Sequence, residues 1–144
     1  MVVRKLGIDY GARRTGLAIS DVMGIIATPL ETFVSQGMRQ DIDHIARIVN
    51  TKQVDTVVIG MPYNMDGTTG KRAKSTEFFG QALSRIVGVP VVFRDERLTT
   101  VEAYSKLAQA GLKKAKQKDK VDQVSAQIIL QEYIDSTFAD KIGK

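Results

Sequence analysis

The period of apolar and polar positions switches repeatedly along the chain, and each switch marks an element. Residues 2–9 place Val, Leu and Ile in a run that closes on Gly7, Ile8 and Asp9, the pattern of a strand. Residues 10–15 are a short polar turn, and residues 16–20 a second strand. Residues 25–33 form a third strand, which Pro29 places at a sheet edge because proline cannot donate to a central ladder. Short turns between these strands predict an antiparallel meander. Residues 38–50 then take the helical period, with Met38, Ile42, Ile45, Ala46 and Val49 on one stripe. His44 falls off that stripe and reads as a surface residue without a role.

The uninterrupted apolar run at residues 54–59 predicts a strand covered on both faces. A glycine-rich loop spans residues 60–70, and a helix over residues 72–87 is expected to bury Phe78, Phe79, Leu83, Ile86 and Val87. Residues 89–93 are a fifth strand. Thr99, Thr100, Val101 and Glu102 form a capping box opening a helix that ends near Gly111. A last helix is expected over residues 119–136. The order βββαβαβαα gives an α/β fold, a single domain over residues 1–144. Its mixed five-stranded sheet has strands 1–3 antiparallel and strands 1, 4 and 5 parallel, because helical crossovers join parallel strands. Sites in such sheets form at the carboxyl ends of adjacent strands.

Three acids sit where acids are uncommon. Asp9 closes the first apolar strand, Glu96 follows the fifth, and Asp122 lies four, seven, eight and eleven positions before Ala126, Ile129, Leu130 and Tyr133 on the last helix. Buried carboxylates are paired or bind metal. If the three converge they make an all-oxygen site suited to Mg²⁺ or Mn²⁺. Each also has an ordinary reading. Asp122 would be at N3 if Asp119 caps the helix, Asp9 would end a strand, and Glu96 would be a solvated acid before a helix.

The bulk composition narrows the partner. Hydrophobic residues make up 43% and charged residues 26%, as in ordinary soluble domains. The net charge of +5 favours an anionic partner. The absence of cysteine removes disulfides, thiolate zinc sites and thiol nucleophiles, and the single histidine argues against a Ser-His-Asp triad. No run approaches membrane-spanning length, and a cytoplasmic protein is expected.

Gly11 and Gly16 flank a turn in which positive φ and close backbone contact are available, and Arg13 and Arg14 in that turn are placed to hold a phosphate beside Asp9. The spacing is not that of a P-loop or a dinucleotide fingerprint. Taken on their own, the glycines are better accounted for by a plain hairpin connection. Lys71, Arg72 and Lys74 form one basic cluster, and five lysines between residues 113 and 120, Lys113, Lys114 and Lys116 among them, form another. Both flank segments leading to the proposed site, which fits tracking of a phosphate backbone. Aromatic residues are few and are not interleaved with them.

Taken in order, these residues resemble the YqgF-type nucleases of bacteria, small RNase H-like proteins named both for Holliday junction resolution and for pre-16S rRNA cleavage. The resemblance is carried by Gly7, Ile8, Asp9, Tyr10 and Gly11 with Arg13, Gly16, Ser20 and Asp21. It continues through Gly60, Met61, Pro62, Asn64 and Gly67, then Asp95 to Thr100, and ends with Lys120, Val121, Asp122, Ala126 and Ile129 to Gln131. Ser125 departs from the alanine usual there. The resemblance implies an RNase H-like fold and a divalent-metal site (Mg²⁺ or Mn²⁺) at catalytic Asp9, Glu96 and Asp122. It also implies a nuclease that matures the 5′ end of 16S rRNA. Arg13, Arg14 and Arg97 are then expected on phosphate. The partner is nucleic acid, either structured RNA or branched DNA, and the protein a monomer or homodimer. Two other classes stay in view. The spacing from Asp9 to Gly16 also resembles the first phosphate motif of actin-like kinases, although the length fits one lobe only. A non-catalytic nucleic-acid scaffold would keep the basic clusters and leave the acids structural.

Overall fold

The computed structural model describes residues 2–96 and 114–142, with side chains of the second segment described from Val121 to Phe138. Five strands, β1 (Arg4–Asp9), β2 (Arg14–Ser20), β3 (Ala27–Val34), β4 (Val54–Met61) and β5 (Val91–Asp95), form one sheet in the order β3-β2-β1-β4-β5. The β1–β2 and β2–β3 pairs are antiparallel, and β1–β4 and β4–β5 are parallel, as the pattern predicted. Pro29 lies on the edge strand β3. The helices are α1 (Met38–Thr51), α2 (Lys71–Val87) and α3 (Lys114–Ile142). The helix expected over residues 99–111 lies outside the described residues.

Strand alternation sorts the core into two layers. Leu6 and Ile8 of β1, Leu17 of β2, and Val57 and Ile59 of β4 face α1 and α2, where Ile42, Ile45, Val49, Phe79 and Leu83 meet them. On the other face, Ala18, Ala27 and Val58 pack against Ala126, Ile129, Leu130 and Ile134 of α3. Full burial of each Leu or Ile contributes roughly 1.5–3 kcal/mol. This apolar contact is what holds α3 on the sheet.

Glycines set how close α3 can lie. A Cβ at Gly7 would stand 2.7 Å from Leu130 Cβ and 2.8 Å from the Ala126 carbonyl, and one at Gly16 would fall on the Asp122 carbonyl group. Gly16 is paired with Asp9 inside the β1–β2 ladder, and neither it nor Gly11 has positive φ. The turn is thus a hairpin connection, and the glycines serve close approach. At Gly11 the neighbour is the Arg14 carbonyl.

Two expectations are corrected. Phe78 and Ile86 are not buried but 61% and 60% exposed. The inward stripe of α2 is Ala73, Thr76, Phe79, Gly80, Leu83 and Val87. Its small members let the helix sit close to the sheet, and Phe93 of β5 fills the space at Gly80, 2.5 Å from where a Cβ would be. Phe78, about 100° round the helix from Phe79, is left facing out. The last helix also begins at least as early as Lys114, in a run of lysine, alanine and glutamine that favours helix, and continues to Ile142. Asp119 therefore does not cap it.

The β2–β3 turn is fixed by Asp21, whose Oδ1 accepts the N–H groups of Ile25 and Ile26, both at 2.8 Å, and whose Oδ2 accepts that of Met23 at 3.1 Å. Gln131 of α3 ties the same segment down, accepting the Ala27 N–H at 2.8 Å and donating to the Ile25 carbonyl at 3.0 Å. No helix among the described residues is long and apolar enough to cross a membrane.

Candidate active site

Asp9 is the last residue of β1, and Glu96 directly follows β5. The β4–β5 ladder extends to Glu96, whose N–H donates to the Met61 carbonyl at 3.1 Å. Parallel pairing thus delivers both acids to the same end of the sheet. Gly60 on the intervening strand leaves the room between them, since a Cβ there would stand 2.8 Å from Glu96 Oε2 and 2.5 Å from Ile129 Cδ1.

The two carboxyl groups hydrogen-bond to each other. Burial pushes the Asp9 carboxyl up to about 6, with the bond to Glu96 opposing, the charge of Asp122 adding to the rise and Arg72 countering it. Burial likewise pushes Glu96 up to about 9, reinforced by the charge of Asp9, by the bond between them and by Asp95, and opposed by Arg72. Glu96 therefore keeps its proton at neutral pH and donates it to Asp9. Its other oxygen, Oε1, is buried without a hydrogen-bond partner among the described residues. Two oxyacids sharing one proton beside an unpartnered buried oxygen are the donor set a hard dication fits, with the cation taking the place of the proton.

Asp122 comes from α3, where it lies over Gly16, the residue paired with Asp9. The helix begins well before it, so Asp122 is not at a helix N-terminus and the dipole does not account for its placement. Its Oδ2 lies 3.3 Å from Arg14 Nε. Among the described residues no three acidic or histidine side chains are grouped tightly enough to share one ion in this arrangement. Asp9 and Glu96 are held to each other, and Asp122 is drawn toward Arg14.

The basic residues divide. Arg14 faces Asp122. Arg72, at the start of α2, lies within electrostatic reach of Asp9 and Glu96, with Nη2 3.5 Å from the Tyr10 carbonyl. Arg13 is exposed in the turn and Lys71 at the head of α2. Lys114 and Lys116 fall in the first turn of α3, with side chains outside the described residues, as are Arg97 and Lys113 altogether. The sequence reading missed Tyr10, whose ring stacks on Phe79 with centroids 4.1 Å apart and planes at 13°. That contact anchors the residue after Asp9 to α2. An aromatic after a strand-ending acid is the signal that was available. The sequence reading places Gly60 at the start of a loop and among the residues of the family resemblance without a site role, whereas it is the seat of Glu96.

Residues 3–136 match the family model RuvX, described as Holliday junction resolvase. The chain belongs to the RuvX family. Curated relatives agree over nearly their full length. One from Syntrophus aciditrophicus is 39% identical over 97% of this chain and 93% of its own, and one from Chloroflexus aggregans is 45% identical over 91% and 92%. Both carry the name "Putative pre-16S rRNA nuclease". The YqgF-type resemblance and the nuclease assignment therefore hold. Among solved structures, Thermus thermophilus RuvC in complex with a Holliday junction substrate superposes with a TM-score of 0.62 at 15% identity, covering 95% of this chain and 96% of that one. The Fowlpox virus resolvase in complex with its substrate gives 0.57 at 14%, covering 94% and 99%. At these identities the likeness establishes the fold, which is that of RNase H-like resolvases. RuvX membership makes the chain a nuclease that hydrolyses phosphodiester bonds, and dependence on a divalent metal goes with that class.

Proposed function

We propose that the chain cleaves a phosphodiester in the 5′ leader of precursor 16S rRNA, with Asp9, Glu96 and Asp122 holding Mg²⁺ or Mn²⁺. The observation that carries the site is the half-buried Asp9–Glu96 pair, hydrogen-bonded at the carboxyl ends of β1 and β5, with one Glu96 oxygen buried and without a partner among the described residues. A bound divalent ion supplies charge neutralisation on the phosphate and activation of water. Asp9 and Glu96 give up their shared proton to make the oxygen donors. Asp122 completes the set from the α3 side once Arg14 is free to turn to a phosphate oxygen. Arg72 offsets the charge of the acids and lies where it meets the strand entering over α2, and Arg13 and Lys71 border the same end of the sheet.

The family description and the fold shared with junction resolvases favour a second substrate, four-way DNA. That reaction places two nicks symmetrically and calls for a two-fold dimer.

The test is Mg²⁺-dependent cleavage of a 16S precursor carrying its leader, by wild type and by Asp9→Asn. Cleavage lost in the variant, with its fold intact, is the expected result. Full activity in Asp9→Asn would remove the carboxylate mechanism. Cutting of four-way junctions but not of the leader would move the assignment to the second substrate.

A further inference from the structure

A second concave feature lies on the same end of the sheet as the acids but on the opposite face. It is a groove of about 390 Å³ between β3 and α1, within the range of clefts that take small organic groups. On one wall Phe33 of β3 meets His44 of α1 edge to face, with centroids 4.9 Å apart and planes at 72°. On the other, Gln40, His44 and Arg47 recur at helical spacing along α1, with Gln36 just ahead of the helix. His44, read from sequence as a surface residue, is half-buried and held by Glu31 Oε1 at 3.1 Å from its Nε2.

The polarity of the groove decides what suits it. Its acids are committed within the protein. Glu31 is paired with His44, and buried Asp41 accepts the Ser35 hydroxyl at 2.5 Å and the Gln36 N–H at 2.9 Å. No cluster of cations lines it, so a phosphate is not its natural occupant. Aromatic edges beside primary amides, each both donor and acceptor, match a neutral heteroaromatic ring with a hydrogen-bonding rim. Gln is the side chain whose amide pairs well with an adenine edge.

The groove is also tied to the turn beside Asp9. Arg14 pairs with Val34 at the end of β3, and the Ser35 N–H donates to the Arg13 carbonyl at 2.8 Å. β1 and β3 are separated by β2 alone, about 10 Å at two strand spacings. Asp9 looks toward α3 and Phe33 toward α1, so a strand reaching both must cross the end of the sheet at Arg13. A base in a duplex cannot make that crossing, whereas a splayed-out one can.

Resting on the nuclease reading, we infer that this groove takes an unpaired nucleobase of the substrate strand, one short step from the phosphate held at Arg13. The substrate class is then a single-stranded flank next to the cleaved bond. A purine with a donor–acceptor edge is the base that fits best.

Binding is measured by fluorescence anisotropy without divalent metal, so that it does not depend on cleavage. The probes are RNA hairpins with an unpaired 5′ tail in which a single abasic site is moved along the tail. The proteins are wild type and Gln40→Ala/His44→Ala, folding being checked by circular dichroism. At one tail position the abasic site should weaken wild-type binding about tenfold or more and leave the double variant unaffected, because one missing ring and one missing pocket are the same loss. Losses that add at every position, or equal affinity for a blunt hairpin of the same length, would overturn the assignment. Failure to cleave leader RNA with this coupling intact would sink the proposed reaction and leave the base pocket standing.

Discussion

The Asp9 and Glu96 carboxyl groups share a proton over the bare backbone of Gly60, two strand ends brought together across a third. The properties of the metal-free protein follow from that relationship.

Both acids titrate above their ordinary values of 3.8 and 4.5. Between those values and about pH 9, the folded protein therefore binds more protons than the unfolded chain. The pair's contribution to stability is then full below about pH 4 and declines as pH rises toward 9. In EDTA the Tm of wild type should fall over this window more steeply than that of Glu96→Gln, which no longer has the acid to ionise. Mg²⁺ should restore Tm at the alkaline end. Parallel pH profiles for the two proteins would show that the pair does not share its proton.

Gly60→Ala should act on chemistry more than on folding. The atoms its Cβ meets are the Glu96 carboxyl at 2.8–2.9 Å and the end of Ile129, both flexible. Tm should drop by only a few degrees while kcat falls on the order of tenfold to a hundredfold, as expected when a donor is displaced by about 1 Å. Retained kcat would mean that Glu96 need not occupy this seat.

Gly16→Ala should do the reverse. Its Cβ lands on the backbone of Asp122, which cannot turn aside, so α3 must lift from the sheet. Overpacking of this kind costs roughly 1–3 kcal/mol, and more where backbone must shift. A urea midpoint unchanged from wild type would contradict the close packing described.

Ser125→Ala should stabilise. The Ser125 hydroxyl is fully buried with no hydrogen-bond partner among the described residues, on a helix that favours alanine. Removing an unsatisfied buried hydroxyl is worth about 1 kcal/mol, or a few degrees of Tm in a domain of this size. Calorimetry showing a lower Tm would reveal a partner for that oxygen.

The sheet was legible because its signals are local. Leu6 and Ile8 alternate with Gly7 and Asp9, and Pro29 marks an edge, so order and direction follow from pattern and connection length. The placement of Asp9 and Glu96 at strand ends came with them. Facing directions on α2 were not legible, since Phe78 and Phe79 are equally apolar. The small residues Ala73, Thr76 and Gly80 decide which turns inward, through a fit to Phe93 that only the fold reveals. The pairing of Asp122 with Arg14, and the hydrogen bonds from Gln131 to the β2–β3 turn, join residues far apart in sequence and leave no periodic trace.

The docking of α3 on Gly16 also decides when the molecule becomes hazardous. Asp9 and Asp122 are separated by most of the chain, and they approach only where α3 settles on Gly16, the residue paired with Asp9. Such long-range closure comes late in folding. A nascent or partly unfolded chain has its acids scattered, so on the proposed role of Asp9, Glu96 and Asp122 hydrolytic competence would arrive only with the complete fold.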